Sequence, residues 1–306
     1  MKLLAVVLSS CALVACGGGG GGSSSSAPNV TQAEATDVVN SVDSAQGLLL
    51  ETLPAYYQQQ TILFGLPSTQ NISQVSTVPC SQSGSYVQTY TKGNSGAGSI
   101  ITGDTISIVY SGCYDGISTI TGTLSSTAAI IGSSIRLQLQ ATNYTRLYAS
   151  NGISINFSGS FTADNSNTAN PTWTISGVGP LTGTLAGFST SGFYKNGSYT
   201  LNSFGYTNSI ASSTSGTRSY TYTMPYVGTD NANYVLNLAT STPVTRDYTV
   251  NSTKPVITPG LFAISGYKQS SIQVTNDSSS SSTVKVSNGA NGTFDLTFTL
   301  FGFYFS

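Results

Sequence analysis

The sequence predicts a mainly β body, a long antiparallel meander forming a twisted sheet or an open half-barrel, with one N-terminal amphipathic helix. Three observations carry this. Nine segments alternate apolar and polar residues with period two, from Thr105-Ile106-Ser107-Ile108 to Phe294-Asp295-Leu296-Thr297-Phe298-Thr299-Leu300. Turn signals such as Gly103-Asp104, Asp115-Gly116, Asn151-Gly152, Asn196-Gly197 and Asn291-Gly292 separate them at hairpin spacing, too short for crossover helices. Ahead of all of these, residues 31–54 repeat apolar side chains at three and four positions.

In chain order, Lys2 and the apolar run Leu3 to Val14 form a signal-type segment. A transmembrane helix needs about 20 apolar residues, so this run is too short to span a bilayer. It ends in Leu13-Val14-Ala15-Cys16 and is followed by six glycines and four serines, a flexible tether reaching roughly 15 to 20 Å. The quartet resembles the lipobox of bacterial lipoproteins. That resemblance implies that residues 1–15 are a removed signal peptide, that Cys16 is acylated, and that residues 16–30 link a membrane anchor to a body at 31–306. Gly17, in place of the Asp that resembles an inner-membrane retention signal, implies the outer membrane, with the body facing periplasm or cell surface.

Thr31-Gln32-Ala33-Glu34 is a capping box, and Glu34 and Asp37 suit the positive end of a helix dipole. Ala35, Val38, Val39, Val42, Ala45, Leu49 and Leu53 make one apolar stripe, predicting a helix of about 22 residues that packs on a sheet and stops near Pro54. Beyond residue 72 the expectation is roughly 12 to 15 strands. Pro243, Pro255 and Pro259 crowd one segment and predict an edge connection, or a seam before a C-terminal hairpin unit at about 256–306.

Cys80 and Cys113 remain once Cys11 and Cys16 are set aside, and in an oxidising envelope they predict a disulfide. Closing that loop would stabilise the fold by about 4 kcal/mol in the chain-entropy model. The runs around these cysteines, with Gly122-Thr123-Leu124, and the later Pro259-Gly260-Leu261-Phe262-Ala263-Ile264-Ser265-Gly266 resemble uncharacterised β-rich outer-membrane lipoproteins of proteobacteria. The resemblance transfers architecture and no activity.

Only 7% of the residues are charged, the formal net charge is −1, and the ten Lys and Arg are scattered, which argues against nucleic acid as a partner. No histidine occurs, which removes Ser-His-Asp and Cys-His catalysis and His metal ligands. Ser265-Gly266-Tyr267-Lys268 and Ser282-Thr283-Val284-Lys285 fit Ser-x-x-Lys but lack a Lys-Thr-Gly partner motif and fall in strand or loop context. Asp104 and Asp115 flank the second cysteine and could approach one another, although each suits a turn. Asp164-Asn165-Ser166-Asn167 offers oxygen ligands without an EF-hand pattern and is expected to be a polar turn. No catalytic residue, metal site or cofactor is predicted.

The surplus is aromatic, with 18 Tyr and 12 Phe. Tyrosine on a sheet is expected to pack at the core edge with its hydroxyl in water; a tyrosine-lined groove for lipid or glycan is the sharper reading. The functional expectation is a lipid-anchored, non-catalytic binding or structural module. One alternative is a half-barrel holding a lipid or other apolar ligand, similar in fold to carriers of the Lol type. A second is an outer-membrane β-barrel, which short strands and a Ser306 terminus oppose.

Overall fold

A computed structural model describes residues 29–66, 72–93, 99–166, 172–177, 179–188, 194–212, 215–247, 256–258, 260–278, 281–289 and 293–301. The signal segment, Cys16 and the Gly/Ser tether lie outside the described residues.

Among the described residues the first element is a helix, α1 (Gln32–Gly65), whose capping box is formed: Thr31 accepts from the Glu34 amide while Glu34 accepts from the Thr31 amide at 2.9 Å. It runs 34 residues, straight through Pro54, instead of stopping there. Proline costs about 3 kcal/mol in a helix interior. Here Ala55, Tyr56, Gln59 and Leu63 are all buried beyond it, and that burial offsets the missing bond. The helix ends where Leu66, the residue before Pro67, turns extended, as the proline ring demands.

Strands β1 (Ile72–Pro79), β2 (Ser83–Lys92), β3 (Thr105–Tyr114), β4 (Ser118–Ile131), β5 (Ser134–Tyr148) and β6 (Ser154–Ser166) form a simple antiparallel meander. At β6 the sheet forks. β7 (Thr172–Gly177) pairs with Thr162–Asn165, while β8 (Leu181–Ala186) pairs with Ser154–Ser158. The next run breaks at Asn202 into β9 (Gly197–Leu201), on β8, and β10 (Ser203–Ser212), on β7.

A second fork follows on β11 (Ser215–Val227), which pairs with β10. β12 (Asn233–Thr242) takes one half of it, and β13 (Val244–Asp247), extended by β14 (Val256–Thr258), takes the other. Of the proline-rich segment, Pro243 leads into this second branch, and Pro255 and Pro259 lie outside the described residues. β15 (Leu261–Ser265), β16 (Ser270–Ser278), β17 (Ser281–Asn288) and β18 (Leu296–Phe301) continue from β12 in the same sheet. Among the described residues eighteen strands make one antiparallel sheet, more than the 12 to 15 expected, and it does not close.

A crease curls this sheet. Register slips at Ser111/Cys113, Thr121/Thr123 and Ala141/Tyr144 line up across β3 to β6, and each bulge sharpens the local bend. Gly122 is needed at one of them: its φ is +93°, and a Cβ there would sit 2.1 Å from the Asn143 carbonyl oxygen.

The curled sheet surrounds the helix. Ser41, Val42, Asp43, Ser44, Ala45 and Gln46 are consecutive and all buried, which covers the full circumference of α1 rather than a single stripe. The core is the annulus between helix and sheet, where Val38, Val39, Leu48 and Leu49 meet Leu124, Leu137, Phe157, Leu181, Tyr222 and Phe262.

Candidate functional site

The concave face of the sheet, where an apolar ligand would lie, is occupied by α1 and bonded to it. Strand alternation directs Tyr144, Tyr206, Tyr220 and Tyr222 inward, and all four are buried. Five tyrosines around the helix bond it through their hydroxyls. Tyr222 donates to the Val42 carbonyl, Tyr226 to Asp37 at 2.6 Å, Tyr148 to Glu51 at 2.6 Å, Tyr144 to Gln58 at 3.2 Å and Tyr267 to Glu34 at 3.2 Å. A buried phenol needs a partner, and a helix rich in Asp, Glu, Gln and Ser supplies them.

Two acids near the start of α1 are matched by lysines that lie outside the strands. Glu34 meets Lys268 at 2.7 Å, and Asp37 accepts from Lys195. Burial pushes the Glu34 carboxyl upward, but bonds from Lys268, Thr31 and Thr229 outweigh it and bring it down to about 2. Asp37 is likewise depressed: burial opposes, and Lys195 and Tyr226 prevail. Glu51 behaves in the opposite way, because burial lifts its pKa more than the Tyr148 bond and Arg146 lower it. Arg146 lies 3.7 Å from Glu51 and 3.6 Å from Asp115, bridging helix and turn. Farther along, Gln59 donates to the Leu124 carbonyl at 3.1 Å and accepts from Ser126 at 2.8 Å.

The sulfurs of Cys80 and Cys113 are at bonding distance, with Cα atoms 5.6 Å apart, and tie the end of β1 to β3. Asp104 and Asp115 do not come together, because the ten residues of β3 separate them, about 30 Å of extended chain. Asp115 caps its turn, accepting from the amides of Ile117 at 2.8 Å and Ser118 at 2.7 Å. Asp104 accepts from the amides of Gly93 and Ile101 and forms a fully buried ion pair with Lys92 at 2.9 Å. Nothing in the sequence marks Lys92, 12 positions before Asp104, as that partner.

Asp164 lies in a strand, not a turn, and forks onto its cross-strand neighbour Arg136 at 2.7 and 3.1 Å. Among the described residues, no three of His, Cys, Asp and Glu are grouped to hold a metal ion. Within Ser282-x-x-Lys285 the alternation of β17 buries Ser282 against Asn276 and turns Lys285 outward over Phe294. Lys268 of the other such motif is engaged by Glu34. Trp173 packs edge-on against Tyr57 of the helix, ring centroids 6.1 Å apart.

No family model, curated protein or solved structure matches this chain.

Proposed function

We propose that this chain is a lipid-anchored envelope lipoprotein of the outer membrane, acylated on Cys16, whose body is a non-catalytic binding or structural module. The single observation that supports it best is the bonded helix. An acyl-chain carrier needs an empty, dry concavity, and α1 fills this one with side chains tied by the Tyr222, Tyr226, Tyr148 and Gln59 bonds described above.

A spanning barrel has less support. Strands β4, β5, β6 and β11, of 13 to 15 residues, are long enough to span, contrary to the sequence expectation of short strands. Their alternation has the wrong sense for lipid: Leu137 and Leu139 are buried while Gln138 and Gln140 are exposed, and Thr121 and Thr127 of β4 also face outward.

Metabolic labelling with radioactive palmitate tests the anchor, with Cys16→Ala as control. Labelled wild type and unlabelled variant are expected. An unlabelled wild type, in a host that labels its other lipoproteins, would contradict the anchor. Native mass spectrometry of the membrane-extracted protein tests the module: the body is expected without bound lipid, and a stoichiometric acyl ligand would favour the carrier.

A further inference from the structure

The wall around the helix parts beside β11. Along β11, successive residues turn their backbone groups alternately toward β10 and toward β12. The Thr223 carbonyl takes the Asn202 amide at 2.8 Å, so Thr223 faces the β9–β10 side. Two residues on, Pro225 faces the same side and has no N–H to give. The β10–β11 ladder begins at Ser203↔Thr223, and no pairing of β9 with β11 continues it among the described residues.

A cleft of about 340 Å³ opens between them, with Ser41 of the helix in its lining. Gly197, Ser198 and Tyr199 form one side, and Met224, Pro225, Tyr226 and Val227, with Asn233 and Tyr234, form the other. The three tyrosines are held in place by their hydroxyls: Tyr199 donates to the Lys195 carbonyl at 2.8 Å, Tyr226 to Asp37 at 2.6 Å and Tyr234 to Asp230 at 2.7 Å. Their rings are thus fixed before any ligand arrives, which lowers the ordering cost of binding.

Among the described residues no charged side chain lines the cleft, which disfavours a phosphate or other anion. Its mixture of fixed aromatic rings with the hydroxyls of Ser41 and Ser198 and the amide of Asn233 matches a molecule that has C–H faces and hydroxyl edges together. The Ser41 hydroxyl already donates to the Asp37 carbonyl at 2.8 Å, but an acyl chain would leave Ser198 and Asn233 without a partner wherever it desolvated them, at a cost of about 1–3 kcal/mol each.

We infer that this cleft binds a neutral saccharide of one or two rings. The inference rests on the reading of the body as a binding module and names its ligand class.

Saturation-transfer difference NMR on the full-length lipoprotein in a sugar-free detergent tests it. The probes are glucose, galactose, mannose and N-acetylglucosamine, with their β-1,4-linked disaccharides. At least one is expected to bind with a Kd of about 0.1–10 mM. Val227→Arg, at a position 61% exposed on the cleft mouth, and Asn233→Ala should each weaken it at least about tenfold. Each should leave the thermal midpoint within about 2 °C of wild type. The proposal is overturned if no probe binds, if both variants bind as wild type does, or if decanoate displaces the sugar. A palmitate-labelled, lipid-free body that ignores every sugar sinks the cleft alone; an unlabelled chain sinks the anchor alone.

Discussion

The two faces of this sheet are built from the same strands and have almost nothing in common. Inward, β11 presents Tyr220, Tyr222, Met224 and Tyr226, all buried against a helix; outward, it presents Thr221, Pro225 and Val227. On β5 the inner residues are Leu137, Leu139 and Ala141, and the outer ones Gln138 and Gln140. A chain this poor in charge keeps its outer surface wet with hydroxyls and amides. It spends several of its few ion pairs on the inside, between helix and wall. Tyr144, Tyr148, Tyr222, Tyr226 and Tyr267 serve the plug: each ring packs in or beside the annulus while its hydroxyl bonds the polar helix.

Substitutions should rank by face. Lys92→Met leaves the Asp104 carboxylate buried without its cation and should cost about 3–5 kcal/mol in urea unfolding. A loss under about 1 kcal/mol would mean that water already reaches the pair. Leu48→Ala, in the centre of the annulus, should cost about 2–5 kcal/mol by the same measurement.

Lys268→Met tests the N-terminal end of the helix and should cost about 1.5–3 kcal/mol at pH 7. Glu34 is depressed in the fold, so its contribution is fully present above the ordinary carboxyl value of 4.5 and is lost as pH falls toward about 2. Stability curves for wild type and variant should therefore converge over that window; curves that stay parallel would show that Lys268 acts through packing alone. Gln138→Ala, on the outer face, should change stability by no more than about 0.5 kcal/mol.

Much of this was legible in the sequence, because period-two alternation and a capping box are local signals. The antiparallel sheet, the start of α1 and the Cys80–Cys113 pairing all follow from such signals. The end of α1 was not legible, since Pro54 is a local stop that distant burial overrides. Strand lengths were underestimated where β4 passes through the small, weakly alternating Ser125-Ser126-Thr127-Ala128-Ala129. Wrapping of the sheet around the helix depends on bulges at Gly122 and Asn143, which look like ordinary residues until the strands are set side by side. The buried partners Lys92 and Asp104, and the cleft behind Pro225, are products of that three-dimensional arrangement.

Everything said of the interior depends on α1 being a seated plug rather than a lid. Amide hydrogen exchange of Val38 to Leu49 measures this directly. The account predicts that these amides exchange only through global unfolding, with the same free energy as the slowest amides of β4 and β5. Exchange of the helix by a separate opening, several kcal/mol easier while the sheet stays protected, would contradict it.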